Sequence, residues 1–202
     1  MQKNKVGISL GWRCKSASEG VQLGIRKRKN EGYLTCPFDE MVSNYQGIIK
    51  CIEDGFNFFC DTNYLEIVKK DNENLIINKY YNFMFNHESP GHADLYIHEK
   101  WAGGINHFID NDYKEFKDRY NRRIANFKNY IEDPDNIIVF IIERYNTNND
   151  NINDIKNALN KMYPFLQYEF YFLDLQCDPN EIKANMLYIG LDPDSEEIKR
   201  LG

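Results

Sequence analysis

Val6-Gly7-Ile8-Ser9-Leu10-Gly11-Trp12-Arg13-Cys14, continuing as Lys15-Ser16-Ala17-Ser18-Glu19-Gly20-Val21-Gln22-Leu23, is the stretch from which the fold is read. Val6, Ile8 and Leu10 form a short apolar run stopped by Gly11, the pattern of a buried strand ending at a turn. From Ser16 onward, Ala17, Val21 and Leu23 supply an apolar face, and Ser16 and Glu19 stand at capping-box spacing, which predicts a helix start. Cys14 then lies in a strand-to-helix turn. Unpaired N–H groups and the positive end of the helix dipole point there, and both favour a thiolate. The backbone N–H groups from Gly11 to Lys15 are placed to receive an oxyanion.

Outward from that stretch, strand and helix patterns alternate. Met41, Val42, Tyr45, Ile48, Ile49 and Ile52 recur at helical spacing, and residues 64–70 and 75–85 read as extended. Residues 112–132 carry Tyr113, Phe116, Tyr120, Ile124, Phe127, Tyr130 and Ile131 at intervals of three or four, an amphipathic helix. Asn136 to Ile142 is a β-branched apolar run, the mark of a strand covered on both faces. Glu143 and Arg144 follow at its carboxyl end, where open α/β sheets hold ligands. Residues 151–163 predict a helix, 168–175 a strand, 186–190 a last short strand, and 192–198 a capped terminal turn. The expectation is one α/β domain over residues 1–202, three layers deep, with a mainly parallel central sheet. Residues 89–111 are expected as an irregular loop or lid.

Composition narrows the function. The 202 residues carry a formal net charge of −6, which argues against nucleic acid as the main partner. The 13 Phe and 14 Tyr are enough to fill a core. No segment approaches a membrane span and the amino terminus has no apolar signal region, so a cytoplasmic protein is expected. Five cysteines without a CxxC pair point to reduced thiols and away from a zinc site. No cofactor or metal is expected, and the oligomeric state is not legible.

The candidate chemistry starts at Cys14. A cysteine nucleophile needs a lowered pKa, a base within reach and a group orienting that base. His87 is the chosen base, because it follows a predicted strand and precedes Pro90-Gly91, and His92 lies just beyond it. Asp39, projecting from the Pro37 turn, is the chosen orienting group, and it can equally cap the following helix. Arg26-Lys27-Arg28-Lys29 reads as a solvated helix end, with Gly32 closing that helix. Gly11, Trp12, Arg13, His92, Arg122, Arg123 and Arg144 are expected to contact substrate. The plainer reading of Cys14 is a buried small hydrophobe.

Ser9-Leu10-Gly11-Trp12-Arg13-Cys14, Pro37-Phe38-Asp39, Phe85-Asn86-His87 and Tyr120-Asn121-Arg122-Arg123 together resemble a family described as putative papain-like cysteine peptidases, found in giant viruses and bacteria. That resemblance implies Cys14 as nucleophile, His87 as base and Asp39 as third member, in host cytoplasm or virion if the chain is viral. The chain departs from the family pattern at Glu40, where Trp is usual. Since the parallel-strand pattern differs from a papain-like lobe, cysteine-dependent hydrolysis or acyl transfer on a small-molecule, peptide or glycan substrate is the reading adopted. A glycan-associated transferase or nucleotide-sugar-binding protein is the competing class. There a phosphate would rest on the 11–15 turn, with Arg122, Arg123 and Arg144 around it. A structural protein without catalysis is the third reading.

Overall fold

The computed structural model describes residues 3–70, 73–93, 101–144 and 149–174. The opening stretch forms strand β1 (Asn4–Ser9) and helix α1 (Cys14–Gln22). The apolar run forms β5 (Asn136–Arg144), flanked in parallel by β1 and β6 (Tyr168–Asp174). Ile138, Phe140 and Ile142 face the main core, where the Phe140 ring lies 6.4 Å from Phe127. Ile141 faces the other way, against α1. A Cβ added to Gly20 would fall 2.4 Å from the Ile141 Cδ1, so the helix sits directly on the sheet. Burial on both faces is why β5 has no polar alternation.

The chain is a mixed α/β protein, but its strands do not form one sheet. β2 (Leu65–Lys70), β3 (Glu73–Asn78) and β4 (Phe83–Phe85) make a second, antiparallel sheet in the order β2-β3-β4. The expected extended run 75–85 is broken because the Asn78 side chain accepts the Tyr80 and Tyr81 N–H groups at 3.0 and 3.1 Å. Such an Asx turn folds the chain back on itself. Successive strands on short turns must pair antiparallel, since parallel pairing needs a long crossover.

Several helix boundaries also differ from the expectation. α1 starts at Cys14, two residues early, and the Ser16–Glu19 capping box does not form. The Ser16 hydroxyl instead donates to the Arg13 carbonyl at 2.8 Å. α1 ends at Gln22, and Gly32 closes a separate 3-10 turn at Lys29–Glu31. α2 (Tyr45–Glu53) is capped by Asn44, whose Oδ1 accepts the Gly47 N–H at 2.6 Å. It packs against α5 (Asn149–Met162). α3 is the single turn Pro90–Ala93. α4 (Asp110–Glu132) carries left-handed backbone at Asn111, Asp112 and Tyr113, so its regular part begins after them.

The core is aromatic. Phe38 is fully buried, with ring centroids of Phe56, Phe59, Phe83 and Phe127 at 5.9–6.4 Å. Within the described parts of 89–111, Ser89 and Phe108 are buried, while Ala102, Gly103, Ile105 and Asn106 are exposed. The Ser89 hydroxyl oxygen accepts the Ile76 N–H at 2.8 Å, and buried Phe108 lies against Trp101 and Arg119. The expected strand at 186–190 and terminal turn at 192–198 lie outside the described residues.

Candidate functional site

Cys14 stands at the first position of α1, beyond the carboxyl end of β1 in the parallel sheet. A relay of three hydrogen bonds holds this turn. The Gly11 N–H donates to the Ser9 hydroxyl oxygen at 3.0 Å, the Ser9 and Ser16 hydroxyls are 2.7 Å apart, and Ser16 donates to the Arg13 carbonyl. Both serines are fully buried. Gly11 has φ +93°, and a Cβ there would meet the Ser43 Oγ at 1.9 Å, so no other residue fits. Arg13 donates to Glu143 Oε1 at 2.7 Å, tying the turn to the end of β5.

His87 arrives from the other sheet. The Ser43 N–H donates to the Trp12 carbonyl at 2.9 Å, and Val42 and Met84 exchange two backbone hydrogen bonds at 2.9 and 3.0 Å. The path from the Cys14 turn to the strand before His87 thus crosses one intervening segment, at two strand-like spacings, or about 10 Å between backbones. Beneath it, Trp12, Val42, Leu75, Ile77 and Met84 form a small buried cluster.

The turn carrying His87 (Asn86–Glu88) is fixed by its neighbour. Glu88 is fully buried and accepts from Arg119 Nη1 at 3.0 Å, Tyr120 Oη at 2.9 Å and Arg123 Nη1 at 3.0 Å. The other arm of Arg123 donates to Glu40, which also accepts from Lys29 Nζ at 2.6 Å. Arg123 therefore clamps the Pro37–Glu40 turn to the His87 turn. Sequence reasoning missed Glu88. Its signal was present in α4, where residues 119, 120 and 123 share one face and present three donors that need an acceptor.

Glu40 lies within electrostatic range of both Cys14 and His87. Burial pushes the Glu40 carboxyl up, but Arg123, Lys29 and His87 together outweigh it and hold it below the ordinary carboxylate value. The Cys14 thiol is raised. Removal of water by the surrounding protein disfavours the thiolate, Arg13 and the Cys14 N–H oppose this, and Glu40 and Glu143 add to it. The residue itself is exposed. The thiolate expected from the helix dipole is thus not what the turn stabilises on its own, because desolvation exceeds the pull of Arg13. The other described thiols are also raised, Cys60 to about 12 and buried Cys36 and Cys51 well up.

The remaining expected site residues divide. Asp39 is buried and accepts from the Cys36 N–H at 2.7 Å, Arg26 Nη2 at 2.9 Å and Tyr33 Oη at 3.0 Å. It caps its own turn and neutralises Arg26, which is itself buried and not a solvated helix end. Trp12, 1% exposed, belongs to the small core. The Gly11 N–H is spent on Ser9, and the N–H groups of Cys14 and Lys15 stand in the first turn of α1. Arg13 and Arg123 are held in ion pairs, while Arg122 is exposed. Arg122 and Arg123 line a cleft together with Glu40, and no residue from 11–15 stands in its wall. The side chains of His92 and Arg144 lie outside the described residues. Among the described residues no group of three His, Cys, Asp or Glu is arranged to hold a metal, and no helix is long and apolar enough to cross a membrane.

The model of a family described as "putative papain-like cysteine peptidase" matches residues 5–172 of the chain. No curated protein and no solved structure matches it.

Proposed function

The chain belongs to that family of cysteine peptidase-like proteins, and from this premise we propose that it is a cysteine-dependent hydrolase or acyl transferase with Cys14 as nucleophile and His87 as its base. The observation that carries the proposal is the shared electrostatic neighbourhood. His87 acts on Glu40, and Glu40 acts on the exposed thiol at the start of α1. A thiol raised above its ordinary value is protonated near neutral pH, so it needs a base to become a nucleophile.

In the proposed step the imidazole takes the Cys14 proton as the sulfur attacks a carbonyl carbon. The oxyanion is received by the N–H groups of Cys14 and Lys15. The imidazolium then protonates the leaving amine or alkoxide, and water or an acceptor nucleophile cleaves the thioester to restore the thiol. Asp39 is assigned to the support of the site, not to the imidazole, because its carboxylate is engaged by Arg26, Tyr33 and Cys36. Orientation of His87 is assigned to Glu88 and the clamp made by Arg123.

Alkylation by iodoacetamide, read site by site by mass spectrometry, tests the pair. Cys14 reacts faster than Cys36, Cys51 and Cys60 by exposure alone, so the deciding comparison is between variants. Replacement His87→Gln is expected to slow Cys14 near pH 7 by about a hundredfold, the low end of general-base effects. Unchanged alkylation in a folded His87→Gln protein refutes the pairing. Hydrolysis of activated esters and of a quenched peptide library, absent in Cys14→Ala, tests turnover.

A further inference from the structure

A second feature of the molecule is a basic cleft. Between the 29–40 segment and α4 runs a cleft of about 380 Å³ lined by Lys29, Glu40, Arg119, Arg122, Arg123 and Asn126, with Tyr33, Leu34 and Thr35 completing its wall. In a chain of net charge −6, four cations converge there, against Glu40 in the wall and the buried Glu88 behind Arg119 and Arg123. Charge of one sign gathered in a concavity focuses its field on small ions of the other sign.

The cations are already positioned. Arg119 gives one nitrogen to Glu88 and stands over the Phe108 ring, 4.4 Å from its centroid. Arg123 is fixed by Glu88 and Glu40, and Lys29 by Glu40. Glu40 is therefore saturated by two cations and repels an incoming anion less than a bare carboxylate would. Arg122 is exposed and makes no hydrogen bond or ion pair within the described residues. Its guanidinium and the remaining edge of Arg119 offer forked donors of the geometry that planar or tetrahedral oxyanions accept.

We propose that this cleft is a binding site for a small phosphoryl-bearing anion, a diphosphate by charge, seated on Arg122 and Arg119 with Lys29 as the third cation. A diphosphate suits it because several fixed cations need more than one unit of charge in return, and the cleft has room for more than one tetrahedral group. The cleft shares Glu40 and Arg123 with the surroundings of Cys14 and His87, but the anion contacts proposed, Arg122, Arg119 and Lys29, take no part in the Cys14–His87 step, so the binding is tested independently of it.

Isothermal titration with inorganic pyrophosphate, uridine diphosphate and sulfate at matched ionic strength tests the proposal on the whole chain. Saturable binding of pyrophosphate is expected, tighter than sulfate. Arg122→Gln is expected to weaken it about tenfold, the loss of one or two charge-assisted hydrogen bonds. Lys161→Gln makes the same charge change on α5, where Lys161 bonds Glu53, and is expected to leave the affinity unchanged. Uridine diphosphate binding more tightly than pyrophosphate identifies a nucleotide source, and equal binding identifies the diphosphate alone. No saturable binding, or equal losses in the Arg122 and Lys161 variants, overturns the site.

Discussion

Replacement of Asp39 by Asn separates support from catalysis. In the folded protein Asp39 accepts three hydrogen bonds and neutralises Arg26, whose side chain is 7% exposed and lies over the Tyr33 ring at 4.0 Å. Asn keeps the shape and one acceptor oxygen but removes the charge. It also brings an NH2 group against the donors of Arg26, Tyr33 and Cys36. Arg26 cannot shed its proton, and its buried Nε already has no partner, so the variant leaves a buried cation uncompensated. Breaking one side of a buried ion pair costs about 3–5 kcal/mol. For a chain of this size each kcal/mol lowers the melting temperature by about 2–4 °C, so a fall of about 6–20 °C is expected. The assay is thermal and urea unfolding followed by circular dichroism, with Cys14 alkylation measured well below the transition. Adding Arg26→Met is expected to recover part of the loss, because the stranded charge is gone. A melting temperature within about 2 °C of the parent, together with slowed alkylation of Cys14, would refute this account and restore Asp39 as the group orienting His87.

The other expectations concern the clamp and the turn. Glu88→Gln strips the shared carboxylate from Arg119, Tyr120 and Arg123; a loss of about 3 kcal/mol in urea unfolding is expected, with slower Cys14 alkylation as the His87 turn loosens. Gly11→Ala places a methyl against Ser43 and forces alanine to φ +93°, so a loss of about 1–3 kcal/mol is expected. The double variant with Ser43→Ala should regain only part of it, since the backbone strain remains. Glu40 has a depressed pKa, so its contribution is present above about pH 4.3 and is lost as pH falls through its folded value. Glu40→Gln should thus flatten the stability–pH curve on the acid side of that point, and an unchanged curve counts against the ion pairs with Arg123 and Lys29.

What sequence alone determined is whatever depends on neighbours along the chain. The apolar runs of β1 and β5, the period of α4 and α5, and the turn that presents Cys14 all follow from local spacing, and each stands within a few residues of its expected place. The motifs around Cys14, Asp39, His87 and Arg123 were equally legible, and they lead to the family that the chain belongs to. Their division of labour was not. Trp12, Asp39 and Arg26 read as exposed or reactive because a polar or aromatic residue beside a turn has no local reason to be buried. They are buried because residues outside their own turn supply the partner: Val42 and Met84 for Trp12, Tyr33 and Arg26 for Asp39. The same holds for Glu88, whose three donors lie more than thirty residues away. The break of the 75–85 run into the paired strands β3 and β4 turned on the Asn78 side chain capturing two backbone N–H groups, a contest between side chain and strand that residue periodicity does not record. Local patterning specifies which segments are strand or helix; the burial of charge, and with it the difference between a catalytic carboxylate and a supporting one, is settled only when the chain closes on itself, because desolvation and pairing are properties of the assembled interior.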